Sequence, residues 1–181
     1  SIIAKEMIGS DKIYLVDSES ACLGHCMLVL EAARLANEGL SAIEIFKKLE
    51  EIKSKISIYA GVDTLKYLEK GGRLSKGAAV VGTILNIKPI IKVKTGKIES
   101  IDKVRGKVKV FKWLDDFIAN NVKPQNKTVA VYYSVNEEIA IELKKLLIEK
   151  HNAKNVFIGE IGPVIGTHVG PNALAIAFIE D

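Results

Sequence analysis

Residues 89–104 read Pro89-Ile90-Ile91-Lys92-Val93-Lys94-Thr95-Gly96-Lys97-Ile98-Glu99-Ser100-Ile101-Asp102-Lys103-Val104. An apolar run from Pro89 to Val93 meets a turn signal at Lys94-Thr95-Gly96-Lys97, and Ile98 to Val104 returns. That is the pattern of a β-hairpin. Around it lie four more strand candidates, Ile56–Ala60, Thr128–Tyr133, Asn155–Glu160 and Ala173–Ile179. They are separated by connections long enough to hold helices. A local hairpin plus long crossovers predicts a mixed or antiparallel sheet covered by helices.

The helices follow from periodicity and caps. Lys107 to Asn121 places Val110, Phe111, Leu114, Phe117 and Ile118 on one face. Ser134 and Glu137 read as a capping box for a helix that runs to about Lys150. Asp63 reads as the cap of a short helix ending at Gly71-Gly72. Ser75 reads as the cap of a small-residue helix through Ala78, Val81 and Leu85. Ile161 to Asn172, with Gly162, Gly166 and Gly170, reads as a loop.

Before Ile56 the style differs. Ser1 to Ile8 reads as helix interior and Lys12 to Val16 as a short strand. Ala21 to Glu38 reads as a helix stopped by Gly39. Ser41 and Glu44 form a capping box for a helix carrying Ile45, Leu49 and Ile52. Helix, strand, helix, helix suits the trailing part of a parallel α/β unit. The expected fold is therefore α/β: a partial parallel α/β domain over residues 1–55, then a helix-covered mixed or antiparallel sheet domain over 56–181. Because the chain opens on Ser1 inside a helical pattern, a processed or truncated chain is expected. About 80–100 preceding residues would complete the first domain.

Composition narrows the function classes. Of 181 residues, 48% are hydrophobic, which supports a substantial core. No apolar run approaches the roughly 20 residues of a membrane span, so a soluble, cytoplasmic protein is expected. The net charge of +4 is mild, but it is uneven. Lys88, Lys92, Lys94, Lys97, Lys103, Arg105, Lys107, Lys109 and Lys112 face only Glu99 and Asp102, nine bases against two acids. This stretch is either a solvated face or a docking surface for an acidic partner. Cys22 and Cys26 stand four residues apart and read as small apolar residues on one helix face. They make neither a zinc pattern nor a redox pair. P-loop, dinucleotide, zinc-site and serine-hydrolase motifs are absent, so no cofactor or metal is expected.

Two stretches remain. In Gly71-Gly72-Arg73-Leu74-Ser75, paired glycines permit a tight turn that places an arginine beside a helix start. Arginine is scarce in this lysine-rich chain, and its fork suits a carboxylate or phosphate. In Gly162-Pro163-Val164-Ile165-Gly166-Thr167-His168-Val169-Gly170-Pro171, His168 can donate a hydrogen bond to an oxyanion. Together they predict a site for an anionic head group. The segment Ala78 to Leu85, with Val81, Ile84 and Leu85, and the segment Ile161 to Ile165 would line a tail pocket.

These two stretches, with Lys88-Pro89-Ile90, Lys103-Val104-Arg105-Gly106 and Asp17-Ser18, resemble the DegV family over essentially the whole chain. The resemblance implies a protein that binds a long-chain fatty acid between two domains. It also implies an acyl-carrier role, as the non-catalytic subunit of a bacterial fatty acid kinase. Arg73 and His168, with Thr167 beside it, match the family's head-group residues, Ile165 falls in the acyl pocket, and Arg105 matches an arginine that contacts the kinase. Two departures stand out. The family's N-terminal aspartate-serine strand end, threonine and serine-rich turn lie outside this chain, and Asn172 stands where glycine is common. Two other readings come from the residues alone. One is an enzyme acting on a small carboxylate, with His168 as base and Arg73 as oxyanion holder. The other is a nucleic-acid binder using the basic stretch, which the scarcity of aromatics argues against.

Overall fold

The computed structural model describes residues 1–75 and 86–181. The helix expected from Ser75 through Leu85, and with it Val81, Ile84 and Leu85, lies outside the described residues.

Among the described residues six strands form one sheet: β1 (Ile56–Gly61), β2 (Ile87–Lys94), β3 (Lys97–Arg105), β4 (Thr128–Tyr133), β5 (Asn155–Glu160) and β6 (Leu174–Ile179). Their order is β3-β2-β1-β6-β4-β5. The hairpin expected from residues 89–104 is β2–β3, with Lys94 opposite Lys97. Thr95 and Gly96 both have positive φ, 48° and 71°, which a two-residue hairpin turn demands. Four pairings are antiparallel and β4–β5 is parallel, so the sheet is mixed.

Helices cover both faces. On one side lie α5 (Lys107–Asn121) and α6 (Glu137–Glu149), whose Leu114, Ile118, Leu143 and Leu147 are fully buried. They pack against Tyr59, Ile90, Val129, Val131, Leu174, Ile176 and Phe178 of the sheet. Each such side chain contributes about 1.5–3 kcal/mol by leaving water. On the other side lie α2 (Leu23–Asn37), α3 (Ala42–Ile52), α4 (Lys66–Lys70) and α7 (Pro163–Val169), packed against Ile56, Ile58, Ala60, Ile91, Ala130, Ala175 and Ala177. The two faces differ in bulk. Alternation along β6 sends Leu174, Ile176 and Phe178 to the α5–α6 side, and Ala175 and Ala177 to the other.

Some sequence expectations meet a different structure. Lys12–Val16 forms no strand: Lys12 lies in a turn and the rest is irregular. It lies instead over α3, with Tyr14 and Phe46 rings 5.6 Å apart. Asp63 caps no helix: Lys88 and Asn172 take its carboxylate, and the Lys66 amide turns to the Thr64 hydroxyl. The cap of α6 is Asn136, whose side chain accepts from the Ile139 amide. Ser134 is buried two residues earlier, where its hydroxyl donates to the Gly170 carbonyl and accepts from the Ala173 amide, each at 2.9 Å. The stretch expected as a loop between β5 and β6 contains α7, opened by Pro163 at its first position. The Ser41–Glu44 capping box is present. The first helix, α1 (Ile2–Ile8), buries none of its residues. No described helix is long and apolar enough to cross a membrane.

Candidate functional site

The alanine face of the sheet leaves a cavity of about 350 Å³ beneath α4, α7 and the approach to α2. Ala60 and Ala175 form part of its floor, and Ile58, Ile91, Val93, Ile98 and Leu68 line it from the strands and α4. Ile161, Val164, Ile165 and Val169 close it from the α7 side. The wall is overwhelmingly hydrocarbon, so an occupant must be mostly apolar.

Two of its polar members come from the stretches singled out in the sequence. Arg73 follows α4 and His168 sits in the last turn of α7, and both line this one cavity. The Arg73 guanidinium donates to the Gly71 carbonyl at 2.6 Å, which fixes the fork while using only part of its donor capacity. His168 packs against the backbone of Gly71: a Cβ added there would lie 2.1 Å from His168 Nδ1. The reverse contact also exists. A Cβ on Gly170, which ends α7, would lie 2.4 Å from the Tyr67 ring of α4. Each helix thus sets a ring on the glycine that ends the other.

Placement of the remaining expected residues is mixed. Ile165 lines the cavity. Thr167 does not: it is exposed, and its hydroxyl donates to the Val164 carbonyl at 2.8 Å. Arg105 is exposed at the end of β3, opposite Ile87. Since β2 begins where β1 ends, Arg105 stands at the same end of the sheet as the Asp63–Arg73 segment. The basic stretch is partly neutralised. Lys88 pairs with Asp63 at 2.6 Å, and Lys92 and Lys94 both reach Glu180. Burial pushes the Asp63 carboxyl up, but Lys88, Asn172 and Lys107 outweigh it and hold it below its ordinary value.

Other cavity residues were not anticipated. Cys22 lines it with Ser20 and Glu19. Cys22 stands just before α2 with φ 49°, and it is half-buried, like Cys26. Burial pushes its thiol up, against the backbone amides of Leu23 and Gly162. This makes it a poor nucleophile and a good wall. The signal that could have marked this face is the alternation in Leu174-Ala175-Ile176-Ala177-Phe178, where every second residue is small. No cluster of His, Cys, Asp and Glu among the described residues could hold a metal ion.

The family model described as "Uncharacterised protein, DegV family" matches residues 1–181. A DegV domain-containing protein of Caldanaerobacter subterraneus is 36% identical over 181 residues, covering 99% of this chain and 65% of that protein. The chain thus spans about two-thirds or slightly less of the curated relatives it matches. Among solved structures, the Streptococcus pneumoniae Fatty Acid Kinase (Fak) B3 protein loaded with linoleic acid superimposes with a TM-score of 0.85. At 24% identity, covering 99% of this chain and 64% of that one, it supports the fold. DegV of Bacillus subtilis, described as a fatty acid binding protein, is 33% identical with a TM-score of 0.76, covering 93% of this chain and 60% of its own.

Proposed function

Because the chain belongs to the DegV family, we propose that it binds a long-chain fatty acid, with the carboxylate at Arg73 and His168 and the tail in the apolar cavity. The observation that carries this reading is the convergence of those two residues, from stretches about 95 positions apart in the chain, on one hydrocarbon-lined space. At about 350 Å³ the cavity is large enough to take a run of methylenes. Burying each is worth about 0.8 kcal/mol, whereas a charge-assisted hydrogen bond contributes about 1.5–3 kcal/mol. The tail therefore sets affinity, and Arg73 and His168 set orientation.

On this reading the protein is not itself a catalyst. It presents the carboxyl group to the catalytic subunit of a bacterial fatty acid kinase in the cytoplasm. Arg105, at the same end of the sheet, is the residue we assign to that partner. Residues 1–55 would contribute to an α/β domain facing the pocket domain of 56–181, with the fatty acid between them. The reading is supported by similar structures: a DegV family protein of Eubacterium eligens loaded with heptadecanoic acid and the pneumococcal Fak B3 protein loaded with linoleic acid.

The test is organic extraction and native mass spectrometry of the full-length protein. A co-purifying fatty acid in a one-to-one complex is expected. Absence of lipid, together with failure to take up added oleate, overturns the proposal.

A further inference from the structure

His168 Nδ1 is buried, and among the described residues nothing hydrogen-bonds it. The backbone of Gly71 seals that side of the ring. A buried donor without an acceptor is rarer and costlier in folded proteins than an acceptor left over. The less costly arrangement keeps the proton off Nδ1, which for an uncharged imidazole places it on Nε2. Nε2–H is then a donor for whatever enters the cavity that His168 lines.

We propose that Gly71 is a positioning residue for His168: by pressing on the Nδ1 edge of the ring, it fixes both the ring's place and its Nε2–H tautomer, so that the histidine donates to a carboxylate oxygen. The proposal rests on the reading of the cavity as a carboxylate site. It adds what makes that site selective. A ring fixed as a donor rewards an acceptor-only head group such as an ionised carboxylate. It gives an alcohol or amide of the same chain no advantage over water. The Tyr67–Gly170 contact is the matching half of this packing and holds α7 against α4. It touches Tyr67 rather than His168, so the two halves can be separated by substitution.

The primary experiment is ¹⁵N NMR of the imidazoles in ligand-free, full-length protein, with His168→Gln used to assign the resonance. A protonated Nε2 and a bare Nδ1 are expected. A protonated Nδ1, or a rapidly exchanging mixture of the two forms, overturns the proposal. Gly71→Ala is expected to abolish that signature and to weaken oleate binding at least tenfold. Gly170→Ala intrudes on Tyr67 rather than on His168 and also strains a backbone held at φ 79°; where it folds it should keep the signature. An unchanged signature in Gly71→Ala also overturns it. If both glycine variants fail to fold, the His168 variants decide. Glutamine carries an N–H near the Nε2 position and should retain binding within about tenfold, while asparagine, which mimics Nδ1, should lose more. The reverse order overturns the proposal. Should the expected tautomer appear while the protein takes up no fatty acid, the positioning role stands and the fatty-acid reading falls.

Discussion

Ala60 on β1 stands directly opposite Ala175 on β6, and both form the cavity floor. Their methyl groups leave the space that a leucine or isoleucine pair would fill. Ala175→Leu should therefore shorten the chain the protein accepts. Affinity for an eighteen-carbon acid should fall at least tenfold, with a much smaller loss for a ten-carbon acid. Overpacking should lower stability by about 1–3 kcal/mol. Displacement titrations across a chain-length series check this, and a uniform loss at every length would contradict it.

The opposite face offers the contrasting substitution. Leu114 is fully buried in the α5–α6 core and does not line the cavity. Leu114→Ala should cost about 2–5 kcal/mol of stability, read by denaturant unfolding, while the chain-length preference stays as in the wild type.

Asp63 joins Lys88 of β2 at 2.6 Å and Asn172 ahead of β6 at 2.8 Å. Its carboxyl lies below the ordinary value in the folded protein. A depressed pKa means stability that is complete above the unfolded value, near 3.9, and lost as pH falls through the lower folded value. Glu180, held by Lys94, Ser57 and Lys92 against its burial, and Asp115, held by Lys150 and His151 against its own, act in the same direction. Thermal unfolding should show a steep loss of stability below about pH 4. Asp63→Asn should reduce stability by about 1–2 kcal/mol at neutral pH and flatten that slope. A parallel pH curve would refute the role.

Arg105 is exposed and lies outside the cavity wall. Arg105→Ala should leave fatty-acid binding within twofold of wild type and reduce phosphorylation of the bound acid by the kinase subunit at least tenfold. Equal losses of both would contradict the separate roles given to Arg73 and Arg105.

How far the sequence carried depended on what held each element. The bounds of α5, β4 and β5 are legible to the residue: apolar periodicity fixes the helix, and short runs of β-forming residues mark the strands. The hairpin is legible from its turn signal at Lys94-Thr95-Gly96-Lys97. α7 is not. A seven-residue helix with Gly166 inside it has little local propensity, and what stabilises Pro163–Val169 is tertiary: α4 against it and Ser134 at its end. Ser134 looked like a cap because its spacing to Glu137 fits one. Its burial between Gly170 and Ala173 is set by β6, which no local pattern reveals. Arg73, His168 and Ile165 were placed at the cavity by their motifs. Thr167, carried along by adjacency, turns away because one helical step of about 100° separates neighbours. Cys22 was read as a helix residue, and its positive φ puts it at the cavity wall instead.

The alternation along β6 has a consequence for folding. Side chains repeat every two residues, so a slip of one residue against β1 and β4 would exchange its two faces. Leu174, Ile176 and Phe178 would then crowd the cavity, and the alanines would leave holes beneath α5 and α6. The capacity to hold a guest is thus written in the phase of a single six-residue strand. A slip that emptied the hydrophobic core would also fill the cavity, so one register both packs the core and keeps the cavity open.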